Sequence, residues 1–153
     1  MKRELTYTDA TTVLTSLIYG PKIYLDTRET SLAPMIIQYG LWEKWVTDVF
    51  LSLVKPGMTV VDIGANCGYY SLLAAQAVGP SGQVHCVEPN PILHNNLTRS
   101  FAINGYNQVK LHKIAFSAKE EEVTLYTPGY FSGGASIYEI PDSYTDNGAI
   151  LKV

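Results

Sequence analysis

The 153 residues are 46% hydrophobic and 16% charged, the balance of one soluble globular domain with a real core. Eleven Lys and Arg against 14 Asp and Glu leave a net charge of −3, with no basic cluster to grip a phosphate backbone, so nucleic acid is not an expected partner. The first residues carry no apolar segment of signal-peptide type and no run approaches the ~20 residues that cross a bilayer, so a cytoplasmic chain without a membrane partner is expected.

Cys67 and Cys86 are too few for a disulfide framework, and His85, His94 and His112 lack metal-ligand spacing, so no metal is expected. KIYLD (residues 22–26) predicts a short strand, and Ser31 is placed to cap a short helix through Gln38. From Leu41 to Val54, Trp42, Trp45, Val46, Val49 and Leu53 recur on one helical stripe, and the two tryptophans are read as core residues. Pro56-Gly57 ends that segment. The expected division is an N-terminal cap region over residues 1–55 and a cofactor-binding part over 56–153, within a single domain.

MTVVDIG is a continuous β-branched run of the kind found in strands covered on both faces. GYYSLLAAQAVG then reads as a helix apolar nearly all round, stopped by Gly79-Pro80. QVHCVEP is a second strand ending in an acid, residues 91–104 a helix with Leu93, Leu97 and Phe101 stacked, and VKLHKIAF a third strand. Strand, helix, strand, helix, strand is an open α/β unit, whose ligands bind at the carboxyl ends of the strands. EEVTLYT (121–127) is expected to pair with ASIYEI (135–140) across a glycine-rich turn in which Ser132 and Ser136 are plain turn residues.

Two segments sit at those strand ends. In DIGANCG, Gly64 and Gly68 let the backbone turn sharply and approach a ligand, with Ala65 and Asn66 between them. Asn66 stands where a dinucleotide fold would need its second glycine, which disfavours NAD and a nucleotide-dependent oxidoreductase. S-adenosyl-L-methionine, which has no phosphate, fits better. Asp62 is placed to hold its cationic end, Glu88 to accept hydrogen bonds from both ribose hydroxyls, with Pro89 and Asn90 beside it, and Ala115 and Phe116 to floor the adenine. Tyr69 and Tyr70 either line this pocket or pack the helix. Cys67 reads as a small loop residue, since no base is recognisable beside it.

VVDIGANCGYYSLLAA, VHCVEPNP, the following NNL and NG, and IAFSAKEEEVTLY resemble the FkbM-type methyltransferases, a branch of the class I S-adenosylmethionine enzymes. The resemblance covers residues 22–140. It implies a Rossmann-like α/β sheet with helices on both faces and O-methylation of a hydroxyl on a sugar or other small molecule. It also implies a fourth strand bearing an acidic DxEG-like motif and further strands after it. No such motif occurs in these residues, so the N-terminal half of the usual seven strands is expected, with the first strand's far edge exposed. Three explanations stay open: a fragment, a non-catalytic association domain, or a homo-oligomer that covers the edge. No catalytic base can be named.

Overall fold

The computed structural model describes residues 4–140 and 148–153. Three sheets are present among them: an antiparallel β1-β2-β3, a parallel β4-β5-β6, and an antiparallel β7-β8 pair.

The chain opens on a hairpin that the sequence did not announce, β1 (Leu5–Tyr7) and β2 (Thr12–Ser16). Asp9 makes its turn, accepting from the Thr11 and Thr12 amides at 3.0 and 2.8 Å. The expected strand β3 (Lys22–Asp26) pairs with β2. The short helix α1 (Ala33–Tyr39) follows, but Ser31 does not cap it. The Glu29 carboxylate does, accepting from the Leu32 and Ala33 amides at 2.9 and 2.8 Å. An anion bonded to otherwise unpaired helix N–H groups stabilises that end twice over.

Helix α2 (Lys44–Leu53) is shorter than expected and is rotated away from the expected stripe. Trp45, Val49 and Leu53 are 74%, 57% and 67% exposed, so Trp45 is not a core residue. Thr47 is fully buried instead, and the half-buried Trp42, Phe50 and Leu51 pack against the core cluster. A threonine can face inward here because its hydroxyl donates to the Trp42 carbonyl at 2.8 Å.

The α/β unit follows in the order read from the sequence: β4 (Thr59–Ile63), α3 (Tyr69–Val78), β5 (Gln83–Val87), α4 (Pro91–Ile103), β6 (Val109–His112). Both ladders are parallel, which requires the crossover helices. Helix α3 buries residues all round, from Tyr69 through Val78. Helix α4 buries Leu97 and Phe101 and is stitched to the N-terminal sheet, where Ser100 Oγ accepts from the Tyr24 amide at 2.9 Å and Asn104 Oδ1 from the Lys22 amide at 2.8 Å. Val13, Ile23, Leu25, Leu72, Leu73 and Leu97 meet in one buried cluster.

Two expectations fail at the C-terminal side. The third strand stops at His112, because β5 ends at Val87 and the next amide, of Glu88, makes the last bond to the His112 carbonyl at 3.0 Å. Ala115 and Phe116 therefore lie beyond the sheet, with Phe116 56% exposed. Strand β7 (Thr124–Thr127) pairs with β8 (Ala149–Lys152), not with residues 135–140, which contribute only a bridge between Ser136 and Tyr126. The one-turn 3-10 helix Ser132–Gly134 diverts the chain before a longer ladder can form.

Strand β4 has one hydrogen-bonded neighbour among the described residues, β5. Its Val61 and Ile63 share one face of the strand and are 53% and 61% exposed, so among the described residues β4 is not covered on both faces as its β-branched run suggested. No helix among the described residues is long and apolar enough to cross a membrane.

Gly68 stands at a positive φ of 83°, and a Cβ there would lie 2.5 Å from Leu97 Cδ2. Left-handed strain and overpacking both oppose a side chain. Gly68→Ala is expected to lower stability by ~2–4 kcal/mol, measured by urea denaturation, whereas Trp45→Gln should change it by less than ~0.5 kcal/mol.

Candidate functional site

The site is built where β4 and β5 end side by side. After Ile63 the chain turns through Gly64 at φ 75°, and the Gly64 and Ala65 amides both donate to the Val87 carbonyl at 2.9 and 3.0 Å. Asn66 then takes a left-handed conformation, φ 52°, which asparagine tolerates better than most side chains. That twist aims its backbone N–H at Glu88 Oε2, 2.7 Å away.

Glu88 is 5% exposed. Its other oxygen, Oε1, accepts from the Asn90 amide at 2.8 Å; Pro89, lacking an N–H, stands between donor and acid. Burial pushes the Glu88 carboxyl up, and the two backbone donors oppose that shift without cancelling it. Asn90 caps α4, its Oδ1 accepting from the Ile92 amide at 3.0 Å, and His94 Nε2 lies 2.7 Å from the Glu88 carbonyl.

Asp62, inside β4, accepts from Ser71 Oγ at 2.6 Å. Burial raises its carboxyl too. Gly64 is open: a Cβ there would meet no atom within 4 Å. The five residues Asp62, Gly64, Asn66, Glu88 and Asn90 thus gather at the two strand ends.

The remaining candidates divide. Ala65 is buried at 7% exposure in the core. Gly68 is demanded by Leu97 and not by room for a ligand. Tyr69 is a core residue, 1% exposed, with its hydroxyl 3.2 Å from Thr47 Oγ1. Tyr70 packs edge-on against Phe50 and Tyr69, and its buried hydroxyl has no hydrogen-bond partner among the described residues. Ala115 and Phe116 follow the end of β6 at His112 and do not end the third strand as expected. Burial pushes the Cys67 thiol up to about 12, which disfavours its thiolate form.

One arrangement escaped the sequence altogether. Ser132 Oγ donates to Glu29 Oε1 at 3.1 Å and lies 3.0 Å from Asn66 Nδ2. The helix cap and the glycine loop are joined through a residue read as a plain turn. Beside this link, a cavity of about 300 Å³ is lined by Tyr24, Arg28, Asn66, Asn90, Asn96 and Tyr130, among others. Its walls come from β3, α4 and the turn after β7, too far apart in sequence to form a motif. No group of three or more His, Cys, Asp or Glu among the described residues could hold a metal ion.

The family model for protein-L-isoaspartate(D-aspartate) O-methyltransferase (PCMT) matches residues 30–145. The chain belongs to that family. Its fold is the Rossmann-like α/β fold of class I methyltransferases, as expected, but the match points to a different branch from the FkbM type that the motifs resembled. A protein-L-isoaspartate O-methyltransferase of Methanothermobacter thermautotrophicus is 34% identical over 56 residues, 37% of this chain and 26% of that protein. The ribosomal RNA large subunit methyltransferase E of Nitrosomonas eutropha is 49% identical over 37 residues, 24% of this chain and 18% of that protein. Among solved structures, the TYW2 of M. jannaschii in complex with AdoMet aligns with a TM-score of 0.54 at 21% identity, over 73% of this chain and 47% of that one. The matched stretches thus span about a quarter or less of the two curated relatives and under half of the solved one.

Because burial raises Asp62 in the folded chain, folding favours its protonated form. The sign follows: its contribution is fully present below the unfolded carboxylate pKa and is lost as pH rises through the raised folded value. Asp62→Asn keeps an acceptor for Ser71 and cannot ionise. Its stability relative to the native chain is expected to improve as pH is raised from about 4 to 7, checked by thermal melts across that range.

Proposed function

We propose that this family member is an S-adenosylmethionine-dependent methyltransferase whose cofactor sits across the ends of β4 and β5. The observation that carries this reading is Glu88. A buried carboxylate clamped in place by the Asn66 and Asn90 amides has its orientation fixed before any ligand arrives, and its remaining lone pairs suit a vicinal diol. Gly64, open on its ligand side, admits close backbone approach. Asp62, two residues before Gly64 on β4, is the acid for an ammonium group. The residues present therefore fit a nucleoside with a cationic amino-acid tail.

When bound, the cofactor supplies an electrophilic methyl on a sulfonium. The chain's part is positional: Glu88 fixes the ribose, the Gly64–Asn66 backbone seats the tail, and the reacting carbon is held for in-line attack. As the acceptor we infer an oxygen nucleophile, a hydroxyl on a small molecule, the reading that the FkbM-like motifs support. The carboxyl of an isoaspartyl residue is the competing acceptor, named in the family's description.

A second reading is favoured by β4, which pairs with β5 alone among the described residues. An unpaired apolar strand edge invites another strand, and a second copy of the chain would supply one; light scattering showing a monomer at all accessible concentrations would remove it.

The deciding experiment is calorimetric titration with S-adenosylhomocysteine, NAD serving as control. Saturable binding of the nucleoside alone is expected, and Glu88→Ala should weaken it by about 10- to 100-fold through loss of one or two charged hydrogen bonds. Binding unchanged in that variant would overturn the assignment of Glu88. Gly64→Val should abolish binding. Radiolabelled methyl transfer to hydroxylated sugars and, in parallel, to an isoaspartyl peptide then separates the acceptors; label on the peptide alone would sink the hydroxyl reading and leave the cofactor reading standing.

A further inference from the structure

His85 and His112 stand 27 positions apart in the chain and meet in the fold. His85 lies on β5 opposite Lys110 of β6, and His112 lies two residues further along β6 opposite Val87. Residues opposite one another in a ladder share a face of the sheet, as do residues two apart on one strand. Both imidazoles therefore rise from the same side. It is the side of Val61, the β4 residue opposite His85, and Val61 is 53% exposed. Asp62 and Cys86, opposite one another one position on, face the other way. The histidine pair thus lies outside the proposed cofactor site, on a side open to solvent.

Its geometry is that of a chelate. His85 Nδ1 and His112 Nε2 are 2.9 Å apart, with ring centroids 5.1 Å apart and planes inclined by 27°. One of the two nitrogens carries the bridging proton and the other accepts it. Late transition ions bind imidazole nitrogen at about 2.0–2.1 Å, and two such bonds at a right angle place the nitrogens about 2.9 Å apart. The separation set by the hydrogen bond is already that of two neighbouring ligands of a tetragonal ion. Strand pairing holds both backbones in place, so little ordering is left for the ion to impose.

The proton can be accommodated. An ion taking its place, with each ring turning to direct its lone pair at the metal, sends the proton to the far nitrogen of its own ring. The far nitrogens, His85 Nε2 and His112 Nδ1, take no part in the bridging bond, so the neutral pair need lose no proton overall. His94, by contrast, is committed, its Nε2 lying 2.7 Å from the Glu88 carbonyl. Lys110 is an adverse charge on the histidine face; it is exposed, so its ammonium extends into water, where salt screens it.

We propose that His85 Nδ1 and His112 Nε2 together bind one divalent late transition ion of the copper(II) or nickel(II) type, with water in its remaining positions. Two neutral nitrogens select such ions over magnesium and calcium, which ask for oxygen. Bound there, the ion ties β5 to β6 beside the last bond of their ladder, from the Glu88 amide to the His112 carbonyl at 3.0 Å. The site does not depend on the cofactor reading, and its test needs no nucleoside.

The experiment is calorimetric titration of the full, untagged chain with nickel(II), magnesium serving as comparison, alongside electron paramagnetic resonance of the chain loaded with copper(II). One saturable nickel site per chain is expected, with Kd below about 1 mM, no magnesium binding, and a tetragonal copper spectrum carrying hyperfine structure from two imidazole nitrogens. His85→Gln and His112→Gln should each weaken nickel binding by more than about 10-fold, since each leaves a single ligand, and each should remove one nitrogen from the copper spectrum. If thermal melts show that one variant misfolds, the other decides alone. Absence of saturable nickel binding in that range, equal binding of magnesium, nickel affinity unchanged in a folded variant, or a copper spectrum unaltered by the substitution would overturn the proposal.

Discussion

The Glu88 carboxylate, held at 2.7 and 2.8 Å by the amides of Asn66 and Asn90, is the contact on which the upper end of the sheet depends. One amide belongs to the loop after β4 and the other to the residue that caps α4. A single side chain therefore sets the separation of two crossover connections. Desolvation works against its charge, and the backbone donors are what make an acid tolerable at that depth. Replacing it by an apolar residue would leave two buried N–H groups without partners.

Around this clamp the hydrogen bonds form a continuous network. Asn66 touches Ser132, Ser132 touches Glu29, and Glu29 holds the start of α1. The Thr30 amide adds a bond to the Tyr130 carbonyl at 2.8 Å. Segments a hundred residues apart are thus joined at one end of the molecule, and the cavity is what remains between them. Ser100 and Asn104 make the corresponding joins lower on α4.

The α/β unit was legible because glycine, proline and β-branched runs punctuate it, and Gly64, Asn66, Glu88 and Asn90 could be read from their place at strand ends. The β1-β2 hairpin was not, since its inward residues include Thr12 and Thr15, 8% and 3% exposed, and threonine carries no apolar alternation. Thr47 misled in the same way on α2, where its satisfied hydroxyl turned Trp45 outward. Gly68 was read as clearance for a ligand when it is clearance for Leu97; residue type alone does not distinguish the two. Ser132 and the cavity carry no local signal, because their partners are set by tertiary packing.

The stitches between β3 and α4 bear on the order of assembly. The β4-α3-β5-α4-β6 unit closes through contacts between neighbouring elements, whereas the Tyr24 and Lys22 amides find their partners 76 and 82 positions along the chain. Loop closure over such spans is slow to be repaid. These two acceptors exist only once α4 has been made, so the N-terminal sheet, whose buried residues Val13, Ile23 and Leu25 belong to the same core cluster as Leu97 of α4, completes its docking late.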